Sequence, residues 1–451
     1  MSAFDFLRRM LGRLRPGFHQ RTQHLVSLCA ALLGERGEVS GAALAREALA
    51  AYHGLDESGR AEFFDVLAEE FSPSPEAIGK AADAYRFDPT PQNLIRLQEI
   101  IGSARQELFR RLNMAPGGTA ALVEMRSLIL RGLDGHPGWR AIDADLLHLF
   151  RSWFNRGFLR LERIEWRTSA MVLEKLLQYE AVHAIQGWRD LRRRLESDRR
   201  CFAFFHPQLP DEPLIFIEVA LARGMSAHVQ PLLEVQSPVA PPEQTDAAIF
   251  YSITNCQQGL RGISFGNLLI KQVAEDLKRE FPHLRTFATL SPIPGFQRWL
   301  GRTETRTRLA MGPNAEERLA LLSRIERPGW HTGDIPEPLQ KLLLRLCAWY
   351  LLHAKQKNDD KEPFDPVARF HLGNGAALER LNWLGDSSDE GMARSAGMMV
   401  NYVYRLEDLE RNHERYFSDH VVVASRTVEK LARKSPLAAS ADRHGEKRAE
   451  A

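Results

Sequence analysis

Residues Ala247 to Phe296 read AAIFYSITNCQQGLRGISFGNLLIKQVAEDLKREFPHLRTFATLSPIPGF and have the clearest pattern of secondary structure in the sequence. The first part of this stretch, Ala248 to Thr254, is short, apolar and aromatic, which is typical of a buried strand. Apolar residues then recur every four positions, as they do on one face of a helix: Leu269, Val273, Leu277 and Phe281. Pro282 ends the helix, and strand character resumes at Thr286 to Leu290. The stretch predicts a strand, a glycine-containing turn, an amphipathic helix and a second strand.

The turn before the helix is rich in glycine, with Gly259, Gly262 and Gly266. Glycine lets backbone amides approach a ligand closely, and amides at a helix N-terminus favour anions such as phosphates. Neither the Walker ending Gly-Lys-Ser/Thr nor the dinucleotide fingerprint G-x-G-x-x-G is present. What remains is the pattern Arg261-x-x-Ser264-x-Gly266, and a purely structural turn is the alternative. The candidate phosphate-binding residues are Arg261, Gly262, Ile263, Ser264, Phe265, Gly266 and Asn267.

Two resemblances to known families extend this interpretation. The loop resembles the Q/R-x-x-G-x-G/A pyrophosphate loop of the GNAT superfamily of acyl-CoA N-acyltransferases, with Ser264 in the first glycine position. The motifs FYSIT, CQQGLRGISFGNLLIKQV, FPHL, TLSPIPGF, DPVARFHLGNGA and MMVNYVY occur in this order and together resemble the malonyl-CoA decarboxylase family. This resemblance is strongest from about Arg199 to Tyr404. Some members of the family carry glutamate where Ser264 stands, so we expect no carboxylate role at that position.

The composition is that of a globular protein with two or three domains. Of the 451 residues, 44% are hydrophobic and 26% are charged. Lys and Arg total 60 against 58 Asp and Glu, and this net charge of +2 favours neither nucleic acid nor a membrane as a partner. The four cysteines are scattered without the spacing of a metal site, so we expect reduced, buried thiols and a cytoplasmic location.

Helical periodicity dominates the first third of the chain. From about His19 to Trp153, apolar residues recur at spacings of three and four, and glycine and proline separate the segments. Beyond Cys201, strand-like segments alternate with helices. We therefore predict an α+β protein. The resemblance makes residues 1–153 an all-helical oligomerisation domain and 154–434 a GNAT-like mixed α/β catalytic domain, with a disordered tail over 435–451.

Ser291 ends the second strand directly before Pro292-Ile293-Pro294-Gly295. A serine before proline is most often only a turn residue. In a GNAT-like sheet, however, the strands that flank the phosphate helix separate and admit the pantetheine arm, so this strand end lies near the thioester. The resemblance implies that Ser291 is the catalytic serine, and we expect it to hydrogen-bond the reacting malonyl group.

The resemblance also implies roles for His371, Tyr404 and Ser252. His371 lies in a run with two glycines, Phe370–Gly375, that reads as a loop. Imidazole is the side chain best suited to donate a proton near neutral pH, so we predict that His371, paired with Ser291, protonates the enolate carbon. We expect Tyr404 to contact the substrate and Ser252 to contact the acyl-pantetheine. Ordinary packing is the alternative for both residues.

The preferred function is conversion of malonyl-CoA to acetyl-CoA and carbon dioxide through an enolate. It needs no metal or organic cofactor, because the thioester carbonyl accepts the electrons that carbon dioxide leaves behind; coenzyme A is part of the substrate. The alternatives are a GNAT-type N-acyltransferase with an acyl-CoA donor and a non-catalytic coenzyme A-binding module. An acyltransferase needs a base for the amine and an acceptor groove, and neither is identifiable. The expected partners are malonyl-CoA, acetyl-CoA and further copies of the chain, as a dimer or tetramer.

Overall fold

The computed structural model describes residues 20–35, 37–102, 104–263, 269–356 and 361–438. Residue contacts divide the chain into two compact units. The first comprises the described parts of Met1–Arg160, Phe204–Leu214 and Asn255–Phe265, and the second those of Leu161–Ala203, Ile215–Thr254 and Gly266–Ala451. Most of the predicted tail lies outside the described residues.

Helices make up most of the first unit. They are α1 (Gln20–Gly34), α2 (Glu38–His53), α3 (Glu57–Glu69), α4 (Pro75–Phe87), α5 (Pro91–Ile101), α6 (Ala104–Leu112), α7 (Gly118–Gly132) and α8 (Trp139–Trp153). Side chains cap three of them, because Asp56, Ser74 and Thr90 each accept a hydrogen bond from an amide in the first turn of α3, α4 and α5. Large aromatic side chains fill the core, among them Tyr52, Phe63, Phe64, Phe109 and Phe150. The predicted helical N-terminal region is confirmed.

An eight-stranded mixed sheet organises the second unit. Its strands are β1 (Arg160–Ile164), β2 (Arg199–Phe205), β3 (Ile215–Ala222), β4 (Ala247–Asn255), β5 (Thr286–Thr289), β6 (Ser291–Pro292), β7 (Ala377–Asn382) and β8 (Met399–Val403). The order across the sheet is β1-β2-β3-β4-β5-β8-β6, and β7 also pairs with β8. The predicted strands over 248–254 and 286–290 correspond to β4 and β5. The sequence did not predict β1 and β7.

Twelve helices are described in the chain after β1. They are α9 (Ala170–Tyr179), α10 (Trp188–Arg194), α11 (Gln230–Leu233), α12 (Leu269–Glu280), α13 (Phe296–Leu300), α14 (Thr303–Leu309), α15 (Ala315–Arg324), α16 (Glu337–His353), α17 (Pro366–Gly373), α18 (Asp389–Ser395), α19 (Leu409–Asp419) and α20 (Arg426–Arg433). The helix predicted between β4 and β5 is α12, which buries Leu269, Val273 and Leu277. A helical start followed by a mixed α/β domain is the fold class that the sequence predicts, and it is confirmed.

The central strands are buried on both faces. One face of β4 and β5 packs into an apolar cluster that includes Ala247, Ile249, Tyr251, Ala288 and Leu290. Side chains alternate along a strand, so Thr289 and Ser291 point to the opposite face. That opposite face carries the residues of the candidate site.

Candidate active site

The strands β4 and β5 run in parallel and diverge at their carboxyl ends. Their paired positions extend from Ala247↔Thr286 to Phe250↔Thr289. Beyond this point β4 continues to Asn255, whereas Ser291 pairs with Val400 of β8. Parallel strands end at the same edge of a sheet, and ligands bind outside such carboxyl ends in open α/β sheets. The divergence is the feature that the GNAT-like prediction requires.

Ser291 is buried at this edge, and its hydroxyl group makes two side-chain hydrogen bonds. Its side chain is on the face of Thr289, and its Oγ donates to Thr289 Oγ1 at 2.8 Å. The same Oγ lies 3.0 Å from Nε2 of His371. Ser291 and His371 are separated by 80 positions in sequence, and the fold brings them into direct contact.

His371 lies on a helix, so the predicted loop over Phe370–Gly375 is wrong for this residue. The helix is α17, which begins after Asp365 and ends at Gly373. Asp365 accepts hydrogen bonds from the amides of Val367 and Ala368, and Pro366 occupies the first helical position, where proline is favoured. These start signals stand in the sequence but are easily missed beside two glycines, because the helix is only 8 residues long.

Tyr404 follows β8 and completes a chain of three side chains. Its hydroxyl lies 2.7 Å from Nδ1 of His371, on the side of the ring opposite Ser291. Because the Ser291 hydroxyl donates to Thr289, its oxygen is free to accept a hydrogen bond from His371 Nε2–H. The Nδ1 atom then accepts from the Tyr404 hydroxyl. The structure therefore brings together the three residues that the sequence predicts as catalytic.

Burial determines the protonation states of His371 and Tyr404. The exposed fractions are 5% for Ser291, 3% for His371 and 1% for Tyr404. Burial lowers the pKa of His371 to about 3, because the imidazolium ion would lose its hydration. Burial also raises the pKa of Tyr404 well above its ordinary value. The imidazole is consequently neutral and the phenol is protonated at neutral pH.

Three further residues support the site, and the sequence did not identify them. The ring of Tyr402 stacks on the imidazole of His371, with centroids 4.6 Å apart and planes inclined by 26°. The Tyr402 amide donates to Thr289 Oγ1 at 3.1 Å, so the Thr289 hydroxyl accepts hydrogen bonds from both Ser291 and Tyr402. The signal for Tyr402 was its position two residues before Tyr404, which places both rings on one face of a strand.

Asp365 is the third supporting residue, and it links the helix of His371 to the turn after Ser291. Besides capping α17, the carboxylate accepts the hydroxyl of Tyr350 at 3.1 Å. The carboxylate also lies against Gly295, four residues beyond Ser291, because a Cβ atom at Gly295 would be 3.5 Å from Asp365 Oδ2. Asp365 is buried, with 1% of its surface exposed. One carboxylate thus connects both elements that carry the Ser291–His371 pair.

Ser252 is buried in β4, and its hydroxyl donates a hydrogen bond to a carboxylate. Its hydroxyl lies 2.8 Å from each oxygen of Glu180, and Thr254 lies 3.3 Å from the same carboxylate. Glu180 also accepts the amides of Val182 and His183. This arrangement fixes the segment after α9 against β4, and the predicted contact of Ser252 with the acyl-pantetheine stays a prediction.

The candidate phosphate loop is described as far as Ile263, and its positions Ser264, Phe265, Gly266 and Asn267 lie outside the described residues. A short 3-10 turn, Gln258–Leu260, precedes Arg261. Gly262 has a φ of 80°, in the left-handed region that glycine adopts without strain. Helix α12 begins at Leu269, so the loop leads into a helix as the sequence predicts.

No group of three or more His, Cys, Asp or Glu side chains within the described residues is arranged to hold a metal ion. No helix in the same part of the chain is long and apolar enough to cross a membrane.

Comparison with known proteins connects this geometry to a family. The family model for the malonyl-CoA decarboxylase C-terminal domain matches residues 157–443, and that for the N-terminal domain matches residues 71–154. The chain belongs to the malonyl-CoA decarboxylase family. The predicted family is therefore confirmed, and so is the predicted activity of a carboxy-lyase.

Individual members of the malonyl-CoA decarboxylase family agree with this result. The mitochondrial malonyl-CoA decarboxylase of Anser anser anser is 37% identical over 413 residues, which are 84% of this chain and 81% of that protein. The crystal structure of malonyl-CoA decarboxylase from Rhodopseudomonas palustris has 48% identity and a TM-score of 0.85, covering 91% of this chain and 99% of that one. The structure from Agrobacterium vitis has 46% identity and a TM-score of 0.82, with the same coverage.

Proposed function

We propose that the chain converts malonyl-CoA to acetyl-CoA and carbon dioxide, with Ser291, His371 and Tyr404 as the reacting group of residues. The observation that carries the proposal is the hydrogen-bonded chain from Ser291 through His371 to Tyr404, at the edge where β4 and β5 diverge. Such a chain supplies a hydroxyl to orient an anion and a neutral imidazole with a proton on the nitrogen that faces Ser291.

The first step is cleavage of the bond between the carboxylate and the α-carbon. The electron pair of that bond moves into the thioester as carbon dioxide departs, giving an enolate. Ser291 exchanges its hydrogen bond with Thr289 for one with the malonyl carboxylate and holds it out of the carbonyl plane. Orientation of this kind lowers the barrier because the breaking bond must overlap the carbonyl system.

The second step returns a proton to the α-carbon. Nε2–H of His371 donates to the enolate carbon, while the Tyr404 hydroxyl donates its proton to Nδ1. The imidazole is neutral before and after the step, and the negative charge passes to the Tyr404 oxygen. The starting state returns when Nε2 takes a proton from solvent at the open end of the site and Nδ1 gives its proton back to Tyr404. A neutral imidazole suits this role, and the lowered pKa of His371 keeps it neutral.

The chemistry requires no metal or organic cofactor, because the thioester carbonyl is itself the electron acceptor. The residues Arg261 to Asn267 would bind the pyrophosphate of coenzyme A through backbone amides, in the manner of anion sites at helix N-termini. The left-handed Gly262 and the helix that follows the loop support this assignment. The roles of Ser252 and of Ser264 to Asn267 are proposed from the sequence alone.

Incubation of the purified protein with malonyl-CoA and no acceptor tests this function. We expect stoichiometric carbon dioxide and acetyl-CoA. An N-acyltransferase or a binding module would leave malonyl-CoA unconsumed, and that result would refute the proposal. Addition of amine acceptors in a parallel reaction distinguishes these two alternatives.

We also propose that residues 1–153 form an oligomerisation domain, 154–434 a catalytic domain, and that the assembly is a homodimer or homotetramer. The support is a helical hairpin in the first unit, α4 and α5. Helix α5 contributes no buried residue, and three large apolar side chains of the hairpin are at least half exposed: Phe87 at 93%, Ile95 at 52% and Ile101 at 51%. An unpaired apolar helix face of this size is typical of a protein interface.

A cytoplasmic location is the last part of the proposal. All four cysteines are buried and free, which agrees with a reducing compartment. The relative from Anser anser anser is named as a mitochondrial protein, so imaging of a fluorescent fusion in the source cell decides between the compartments.

A further inference from the structure

Arg126 of helix α7 holds the start of the candidate phosphate loop. Its guanidinium donates to the backbone carbonyl of Gly259 at 2.7 Å and to that of Arg261 at 2.8 Å. The Nε atom donates to the carboxylate of Asp143 at 2.7 Å, which fixes the plane of the guanidinium. Arg126 is 2% exposed. Two carbonyls of the loop are therefore bound by one buried, oriented side chain from a helix far away in sequence.

The loop also packs directly on the same helix. A Cβ atom at Gly259 would overlap the backbone carbonyl of Val123, one turn before Arg126 on α7. Only glycine allows the loop backbone to approach the helix this closely. Contacts assign Asn255–Phe265 to the same compact unit as α7. The start of the loop is thus fastened to the helical unit by a close backbone contact and by Arg126.

The direction of the bound carbonyls has a consequence for ligand binding. In a planar trans peptide the N–H of one residue points opposite to the carbonyl of the residue before it. The described chain contains no cis peptide bond. Because the Arg261 carbonyl points to Arg126, the Gly262 amide N–H points away from α7, where it is available to an anion.

We infer that Arg126 is a positioning residue for the described start of the coenzyme A loop, Gly259 to Ile263. This inference rests on the proposed function, in which the loop binds the pyrophosphate. Arg126 acts by orientation and not by its charge, because Asp143 neutralises the guanidinium. Loss of the two carbonyl contacts frees the loop to adopt other conformations, and binding of coenzyme A must then order it again.

Arg126→Lys is the test variant, and Arg105→Lys is its matched control. Lysine keeps the charge but cannot reproduce a planar guanidinium that binds two carbonyls and a carboxylate. Arg105 is a buried arginine of the same unit, 3% exposed, with the same kinds of partner. It donates to Asp145 at 2.7 Å and to the carbonyls of Leu67 and Ala141 at 2.8 and 3.3 Å, and none of these residues belongs to the loop.

We expect Arg126→Lys to raise KM for malonyl-CoA, and the dissociation constant of coenzyme A measured by calorimetry, by about tenfold, the factor that one lost charged hydrogen bond produces. The value of kcat should change by less than about twofold, and Arg105→Lys should leave KM unchanged. Asp143→Asn, which weakens the orientation of Arg126 without removing it, should raise KM by about threefold. An equal rise of KM in the Arg105 and Arg126 variants would overturn the inference, as would an unchanged KM in both Arg126→Lys and Asp143→Asn.

Gly262→Pro separates this inference from the proposed function on which it rests. Proline at this position cannot adopt the positive φ and has no amide N–H. A large rise of KM in Gly262→Pro with no effect of Arg126→Lys would refute only the role of Arg126. An unchanged KM in Gly262→Pro would refute the assignment of the loop itself.

Discussion

At the scale of single residues, the main feature is a histidine that stays neutral because it is buried. The pKa of His371 is lowered to about 3, whereas an unfolded histidine titrates near 6.5. Between these two values the unfolded chain binds the additional proton, so this group makes the folded state less stable as pH falls from about 6.5 to about 3. Above about pH 6.5 His371 is neutral in both the folded and the unfolded chain, so it no longer lowers the free energy of unfolding. Protonation of His371 therefore has no part in the pH dependence of turnover near neutrality.

Tyr404→Phe tests the proton path at this scale. The variant keeps the ring but removes the donor to Nδ1, so we expect kcat to fall by about 10²-fold, in the range of general acid–base effects, with KM nearly unchanged. Tyr52→Phe is the control, because this buried tyrosine of the helical unit has a hydroxyl without a hydrogen-bond partner in the described part of the chain. Full activity of Tyr404→Phe in steady-state assays would remove Tyr404 from the mechanism.

At the scale of elements, Asp365 sets the distance between helix α17 and the turn after Ser291. Asparagine caps helices well, so Asp365→Asn keeps the start of α17 but loses the carboxylate that accepts the Tyr350 hydroxyl and packs against Gly295. We predict that kcat falls by about tenfold, because the separation of Ser291 and His371 is no longer held.

Asp56→Asn is the matched control for this substitution. Asp56 caps α3 in the helical unit by accepting the amide of Gly59. The control should have wild-type kcat. A wild-type kcat in Asp365→Asn as well would show that Asp365 does not position Ser291 and His371.

The sequence predicted β4, α12 and β5 with ends close to those observed, because each has a strong apolar pattern and a clear stop. It also predicted Ser291, His371 and Tyr404 as site residues through the family motifs. It missed β7, whose sequence ALERLN becomes a strand through pairing with β8 and not through its own periodicity. The contacts of Arg126 with Gly259 and Arg261 join positions 133 and 135 residues apart, and no local pattern reports them.

At the scale of the whole molecule, the apolar hairpin of α4 and α5 predicts assembly. The sequence indicated an apolar face on α5, formed by Leu94, Leu97, Ile100 and Ile101, but a single chain cannot show what covers it. Ile101→Glu places a charge on that face, where Ile101 is 51% exposed, and should convert the oligomer to monomers in light scattering after gel filtration, with the helical content unchanged. Glu99→Gln, a substitution of an exposed polar residue on the same helix, is the control. A wild-type protein that is monomeric at micromolar concentration would contradict the proposed assembly.

His371→Asn in the assay without acceptor tests whether the Ser291–His371 pair decarboxylates malonyl-CoA. The shorter asparagine side chain places no donor at the position of Nε2 and cannot relay a proton from Tyr404. We predict that release of carbon dioxide and acetyl-CoA falls by about 10³-fold, within the range of general acid catalysis, while calorimetry gives a coenzyme A affinity within twofold of wild type. Turnover near the wild-type rate in a folded His371→Asn protein would show that His371 does not protonate the enolate carbon.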